Sequence, residues 1–126
     1  NPAAPVLRPT ELDSLREDAV IRANLRRSLD RILAFYGFAW NSDRSGLGLS
    51  PVCPQKAANW LSAGNHNFLR LTRILRCLAL AGEATAAAAL LAALEGLAAQ
   101  GYARVIGARS LGFWREAAAA PTRDRD

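Results

Sequence analysis

The tripeptide Asn65-His66-Asn67 stands directly before a stretch with the periodicity of an amphipathic helix, and arginines follow it at positions 70, 73 and 76. Asparagine accepts amide protons that are unpaired in the first turn of a helix, and the positive end of the helix dipole favours an anion. Imidazole and guanidinium groups would add further donors. We therefore predict a ligand-binding site for an anion or a peptide carboxylate, formed by Asn65, His66, Asn67, Arg70 and Arg73.

A purely structural role for the same residues is the alternative. One asparagine would cap the helix, His66 would bond to a backbone carbonyl, and the arginines would form the hydrated face of the helix. The sequence alone leaves both interpretations open.

The common motifs of enzyme sites are absent from the sequence. It contains no GxxxxGK[ST] phosphate loop, no GxGxxG after a strand, no HExxH and no paired CxxC, and its single histidine excludes a multi-histidine metal cage. We expect a non-enzymatic protein with no catalytic residue, no cofactor and no metal. A hydrolase or transferase that uses His66 as its base, with Cys53 as a conceivable thiolate partner, remains a hypothesis. Cys77 stands among leucines and is expected to be a small buried hydrophobe.

The basic residues favour a second class of function, nucleic-acid binding. The net charge is +5, from 16 basic and 11 acidic residues. Aromatic residues do not interleave the arginines and acidic residues lie nearby, so nucleic acid is the less favoured partner. The arginines concerned are Arg22, Arg26, Arg27, Arg31, Arg70, Arg73 and Arg76.

Length and composition indicate one globular domain. The chain has 126 residues, of which 51% are hydrophobic and 21% charged. We see no apolar run approaching the roughly 18 residues of a membrane span, and we expect a soluble, cytoplasmic protein that does not bind membranes. The chain begins at Asn1 without methionine or signal peptide, and we expect a fragment or a trimmed product. The preference for arginine and alanine suggests a GC-rich bacterial genome.

The most regular pattern in the first half predicts a helix from a cap at Asp18 to Gly37. Thr10 is expected to cap a short helix before it, the glycine- and proline-rich stretch 38–54 is predicted to be a loop, and 55–61 a short helix. The apolar residues of the long helix recur every three or four positions, at Ile21, Leu25, Leu29, Ile32, Leu33 and Tyr36.

The second half predicts further helices. One begins near Phe68, capped by Asn65 or Asn67, and ends at Gly82; another spans 83–100; a last one is capped by Ser110. Residues 102–106 are expected to be a short extended or turn segment. The fold class is then all-α, a compact multi-helix bundle of about five to six helices. Residues 1–120 would form this single domain, and residues 121–126 a disordered tail.

Three blocks of sequence resemble the opioid growth factor receptor conserved domain. They are NPAAPVLRPTELDSLRED, LRRSLDRILAFYGF and NHNFLRLTRILRCLALAG, in the family's order and covering most of residues 1–82. The resemblance implies an all-helical domain with counterparts in animals and microbes. Animal members are receptors for an enkephalin-like pentapeptide and are associated with the nucleus and growth control.

The resemblance assigns one signature to the start of the later helix and one to the end of the earlier helix. The family pattern also opens with an aromatic segment containing Ile-Gln-Trp-Leu-Phe-Pro, whereas this chain starts at Asn1. We expect that a site needing that segment is incomplete and that a hydrophobic groove is exposed, inviting a partner or self-association into a homo-oligomer. The signature positions are Phe35, Tyr36, Gly37, Asn65, His66, Asn67, Phe68, Leu69, Arg70, Thr72, Arg73, Ile74, Leu75 and Arg76.

The leading hypothesis from the sequence is thus a non-enzymatic helical recognition module that binds a peptide, a protein or another anionic ligand. Nucleic-acid binding through the arginine-rich faces is the alternative.

Overall fold

A computed structural model describes residues 17–43, 46–50 and 53–119. Helices dominate these ranges, which confirms the predicted all-α class, although one small hairpin is present. The short helix expected from Thr10 and the tail expected at 121–126 lie outside the described residues. The elements are α1 (Ala19–Tyr36), β1 (Phe38–Trp40), β2 (Leu47–Leu49), α2 (Cys53–Ala57), α3 (His66–Leu80), α4 (Ala84–Leu97), a π-helical turn (Ala98–Tyr102), α5 (Ala103–Ile106) and α6 (Ala108–Ala118).

Helix α1 begins and ends where the sequence predicts. The Asp18 carboxylate accepts the backbone N–H groups of Val20 and Ile21, which are unpaired in the first turn. At the other end Gly37 has a φ of 93°, the left-handed conformation that glycine adopts with least strain. The face that carries Leu29, Leu33 and Tyr36 is buried, as the three-and-four spacing requires.

The prediction of a loop over 38–54 is wrong for two short strands and for residues 53–54, where α2 begins. Helix α2 also ends at Ala57, short of the predicted 55–61. Strand β1 pairs antiparallel with β2, Phe38 opposite Leu49 and Trp40 opposite Leu47. Phe38 belongs to the core, and the Trp40 indole N–H donates to the Asp30 carboxylate at 2.8 Å. Strands of three residues are too short to show a recognisable alternation among glycines and serines, so periodicity could not reveal them.

Helix α3 is the central element of the bundle. Its buried residues Leu71, Leu75 and Leu78 face the core, and the helix packs against α6 and α4. Burying a leucine side chain contributes about 1.5–3 kcal/mol relative to exposure. These three positions, which fall on one side of the helix, therefore hold α3 against its neighbours.

A row of aromatic side chains crosses the core between the end of α1 and α6. Ring centroids lie 5.1 Å apart for Tyr36 and Trp60, 6.4 Å for Trp60 and Phe68, and 5.8 Å for Phe68 and Trp114, all edge to face. Both buried indole N–H groups are satisfied, since Trp60 donates to the Tyr36 carbonyl at 3.1 Å and Trp114 to the Phe68 carbonyl at 2.9 Å. The row ties α1, the α2–α3 connection and α6 to the start of α3.

The chain after α4 differs from the sequence prediction in two respects. Residues 103–106, expected to be extended or a turn, form the short helix α5, and the preceding π-turn contains Gly101 at a φ of 120°. Helix α6 begins at Ala108 after Gly107, so Ser110 lies in its first turn instead of capping it. Gly101 and Gly107 both adopt positive φ. The bends at these two glycines set α5 apart from the helices before and after it.

The run Ala84–Ile106 is long and apolar enough, by length and composition, to cross a membrane. This differs from our expectation that no run approaches that length. A mostly buried core helix of a soluble protein meets the same criteria. In this structure 28% of the apolar window is buried, and Leu90, Leu94 and Leu97 of the run belong to the hydrophobic core.

A buried carboxylate joins the start of α1 to the α3–α4 connection. Glu83, only 8% exposed, accepts from Arg22 at 2.6 and 2.8 Å and from Arg26 at 3.2 Å. Burial by itself raises the pKa of Glu83, but the hydrogen bonds and charges of Arg22 and Arg26 outweigh it, and the net pKa lies below the ordinary 4.5. The folded protein therefore holds Glu83 ionised more firmly than the unfolded chain does.

We expect Glu83→Gln to lower the free energy of unfolding by about 1–3 kcal/mol, because it leaves two guanidinium groups without their carboxylate. A carboxyl group with a lowered folded pKa stabilises fully above pH 4.5 and loses this contribution as the pH falls through the folded value. The variant should therefore lose less stability than the wild type on acidification through that range. Urea unfolding at several pH values measures both effects.

The matched control is Glu95→Gln, which removes the exposed ion pair of Glu95 with Arg115. Exposed pairs contribute less than about 1 kcal/mol. A loss from Glu95→Gln as large as that from Glu83→Gln would contradict the special position of Glu83.

Candidate functional site

Asn65 lies at the N-cap position of α3. Its side-chain oxygen accepts the backbone N–H of Asn67 at 2.9 Å, and its carbonyl accepts the N–H of Phe68 at 3.0 Å. Asn65 is thereby the cap, one of the two alternatives that the sequence left open. The backbone amides of Asn67 and Phe68 are therefore already paired with Asn65.

Asn67 has a different position from its neighbour, since its side chain is buried at 4% exposure. Its carboxamide oxygen accepts from the Tyr36 hydroxyl at 2.8 Å, and its carboxamide nitrogen donates to the Asn65 side-chain oxygen at 2.9 Å. Asn65 in turn donates to the Ser62 hydroxyl at 3.0 Å. We call this chain of hydrogen bonds, formed by Ser62, Asn65, Asn67 and Tyr36, the asparagine network.

The asparagine network connects the end of α1 with the beginning of α3. Burial raises the pKa of Tyr36, and the charge and hydrogen bonding of Arg70 offset part of that rise. The hydroxyl consequently stays protonated near neutral pH and serves as a donor to Asn67. A buried carboxamide with partners for its oxygen and its nitrogen is compatible with a packed core.

Arg70 and Arg73 lie on another side of α3, along an apolar groove. The floor of the groove combines leucine and isoleucine side chains of α1 with those of α3, and one part of it encloses about 210 Å³. A second part, of about 360 Å³, continues past Phe35 and Tyr36. Because Ile32, Arg70 and Ile74 line both parts, we treat them as one surface, the α1–α3 groove. Its first part is lined by Leu25, Ser28, Leu29, Ile32, Arg70, Arg73, Ile74, Cys77 and Leu78.

Cys77 lies at the wall of this groove and is exposed, so the expectation that it is a buried hydrophobe is wrong. Leu75 and Leu78, which are close to Cys77 in sequence, are buried in the core. Cys77 lies on a different side of α3, where it lines the groove and is exposed to solvent. Partial burial of its sulfur against the apolar wall raises the pKa of the Cys77 thiol. The thiol form is therefore favoured, which reduces its reactivity as a nucleophile.

His66 is exposed and lines a second depression, between α3 and α6. This α3–α6 cleft measures about 330 Å³. Opposite His66 it is lined by Arg109, Ser110 and Phe113, none of which was predicted as a site residue. The Arg109 guanidinium carbon lies 5.5 Å from the centre of the Phe113 ring, and the four-residue spacing of this cation and aromatic ring was the signal available in the sequence.

The structure thus divides the five predicted ligand-binding residues among three places. Asn65 and Asn67 belong to the asparagine network, Arg70 and Arg73 to the α1–α3 groove, and His66 to the α3–α6 cleft, which Asn65 also lines. Their binding of a ligand stays a prediction.

The arginines predicted for nucleic-acid binding are also divided. Arg22 and Arg26 bind Glu83, and Arg27 donates to Asn24 within α1. The remaining members of the set, Arg31, Arg70, Arg73 and Arg76, are exposed. A guanidinium group that is already paired with a carboxylate of the protein is less available to bind a nucleic-acid phosphate.

Comparison with known protein families gives a match over residues 1–118 to the opioid growth factor receptor (OGFr) conserved region. The chain belongs to this family. The match spans the groove, the cleft and the asparagine network, all of which lie within those residues. No curated protein and no solved structure gives a significant match.

In this family member, part of the signature that the sequence resemblance assigns belongs to the asparagine network. Tyr36, Asn65, Asn67 and Phe68 are all signature positions, and each of them contributes a hydrogen bond or a ring contact to the packing at the start of α3. A structural role accordingly explains this part of the signature, and Arg70 also interacts with the Tyr36 hydroxyl. Exposed His66 and Arg73 have no such explanation.

We expect Asn65→Ala to lower the free energy of unfolding by about 1–2 kcal/mol, since it removes the cap of α3 and the partner of the Asn67 carboxamide nitrogen. Thermal or urea unfolding measures the change. Asn59→Ala, at an exposed asparagine before the same helix, is the matched control and should stay within about 0.5 kcal/mol of the wild type. Equal stability of the two variants would show that the asparagine network does not stabilise the start of α3.

Proposed function

We propose that the protein is a non-enzymatic recognition module and that it binds a peptide segment with apolar and acidic side chains in the α1–α3 groove. The observation that carries this proposal is the composition of the groove. Its floor is apolar, and the charged side chains among its lining residues, Arg70 and Arg73, are both cationic. Family membership is consistent with recognition but does not identify the ligand.

The floor of the groove favours apolar side chains as the bound groups. Leu25, Leu29 and Leu78 line it together with Ile32 and Ile74, and burying apolar surface there contributes roughly 25 cal/mol per Å². Phe35, 47% exposed, adds apolar surface to the second part of the groove. Two adjoining depressions between helices are the type of surface that accepts successive side chains of a peptide.

The rim of the groove selects the charge of the partner. Arg70 and Arg73 are exposed, and no acidic side chain is among the described residues that line either part of the groove. A carboxylate beside the apolar contact would form charge-assisted hydrogen bonds with these guanidinium groups. A second copy of this chain that met the groove through the same face would instead bring its own Arg70 and Arg73 against them, and like charges at a contact are costly.

Nucleic acid fits the groove less well than a peptide does. Phosphates would find Arg70 and Arg73, but the apolar floor would face a sugar-phosphate backbone with little apolar surface to bury. The neighbouring cations Arg22 and Arg26 are already paired with Glu83.

The proposal is tested with two labelled pentapeptides that have blocked ends, Glu-Leu-Phe-Glu-Leu and its neutral counterpart Gln-Leu-Phe-Gln-Leu, by fluorescence anisotropy. We expect the acidic peptide to bind more tightly. The double variant Arg70→Gln/Arg73→Gln should weaken its affinity roughly tenfold, because each arginine loses a carboxylate partner.

Arg76→Gln is the matched control, since Arg76 is exposed on the same helix but does not line the groove. Its affinity should stay within about twofold of the wild type. Equal binding of both peptides, or equal affinity of the double variant and the wild type, would contradict the proposal. Binding of duplex DNA with a steep salt dependence, and no binding of either peptide, would support the nucleic-acid alternative instead.

A further inference from the structure

We infer that the α3–α6 cleft is a second binding site, which takes a small molecule with a flat apolar ring and an anionic substituent. This site is independent of the proposed function. The residues that line the cleft and those that line the α1–α3 groove have no member in common. A substitution in the lining of one site therefore changes no lining residue of the other.

Three polar side chains of different chemistry converge on this cleft. Arg109 and Ser110 approach from α6, and His66 approaches from the start of α3. Guanidinium, hydroxyl and imidazole groups all donate hydrogen bonds to phosphate or carboxylate oxygens. No carboxylate is among the described residues that line the cleft, so a bound anion would meet no repulsion from its walls.

Some polar side chains of the cleft form hydrogen bonds within the fold, and others do not. The Thr72 hydroxyl donates to the Phe68 carbonyl at 3.2 Å, and Asn65 caps α3. Within the described ranges, no hydrogen bond or ion pair involves the side chains of His66, Ser110 or Arg109, and the Arg109 guanidinium lies over the Phe113 ring. The groups that remain to bind a ligand are thus on the two facing helices.

The stacking of Arg109 on Phe113 suits recognition of an anion beside a ring. With the guanidinium carbon 5.5 Å from the ring centre, the aromatic face orients the guanidinium group and leaves its N–H groups free to donate at the edge. Preorganisation of this kind reduces the conformational entropy that binding must overcome.

Exposed apolar side chains supply the complementary surface for the ring. Leu69 is 55% exposed and Phe113 43% exposed, and both line the cleft. Because these apolar groups lie beside a cation, the cleft favours a molecule with both an apolar ring and an anionic group over a free inorganic ion. The cleft volume of about 330 Å³ lies at the lower end of the range for small-molecule sites, which is appropriate for a single ring.

The single histidine makes a direct test available, because its imidazole gives one set of NMR signals that reports on the cleft. The probes are phenyl phosphate, benzoate, inorganic phosphate and benzyl alcohol. We expect phenyl phosphate or benzoate to shift the His66 signals saturably. Inorganic phosphate lacks the ring and benzyl alcohol lacks the anionic group. Each should therefore bind at least about tenfold more weakly. Tighter binding of phenyl phosphate than of benzoate assigns the site to phosphate esters, and the reverse order assigns it to carboxylates.

Two arginine variants decide whether the binding is local. Arg109→Gln should weaken the better ring anion roughly tenfold, whereas Arg104→Gln, which removes the same charge from an exposed position on α5, should leave it unchanged. Circular dichroism verifies that both variants are folded.

The absence of any saturable shift with both ring anions would overturn this second site, as would equal weakening by Arg109→Gln and Arg104→Gln. The variant Arg70→Gln/Arg73→Gln should still bind the ring anion as the wild type does, so failure of the groove proposal and failure of the cleft proposal are told apart.

Discussion

The hydrogen bond from the Tyr36 hydroxyl to the buried side chain of Asn67 is the contact on which the arrangement of α1 and α3 depends. An unpaired carboxamide in this position would cost about 1–3 kcal/mol. Because Asn65 both caps α3 and accepts from Asn67, the helix end and the contact between the helices are parts of one network. Changing the direction of either helix would break it.

This constraint positions both candidate sites. On one side of α3, the separation from α1 sets the width of the apolar groove between Ile32 and Ile74. On the other side, the indole of Trp114 donates to the Phe68 carbonyl and holds α6 where its first turn faces His66. The first turns of α3 therefore serve as a common support, and the exposed residues of the family signature project from it toward two different surfaces.

Local signals were sufficient for much of the fold but not for the site. The cap at Asp18, the stop at Gly37 and the spacing of Leu29, Leu33 and Tyr36 act within a few residues, and the observed α1 follows them. Asn65 and Asn67 are equally good capping residues in sequence. Which of them is buried depends on Tyr36, a residue in another helix, and no periodicity contains that information.

The spacing of Arg109 and Phe113 was visible in the sequence, but the cleft that they form with His66 depends on tertiary contacts. Arg109 and Phe113 belong to a helix whose start is set by the bend at Gly107, and this helix is held at the start of α3 by the contacts of Trp114 with Phe68. The arginines were visible as charges, but the partner of each one was not. Glu83 binds Arg22 and Arg26 only because the α3–α4 connection returns to the start of α1.

A double-mutant cycle between Tyr36→Phe and Asn67→Ala, measured by urea unfolding, tests the dependence of α1 and α3 on this hydrogen bond most directly. We predict a coupling free energy of about 1 kcal/mol or more, because each substitution removes the same hydrogen bond and the second then has less to remove. Losses that add to within about 0.3–0.5 kcal/mol would show that Tyr36 and Asn67 act independently. That result would contradict the role of the asparagine network in joining α1 to α3.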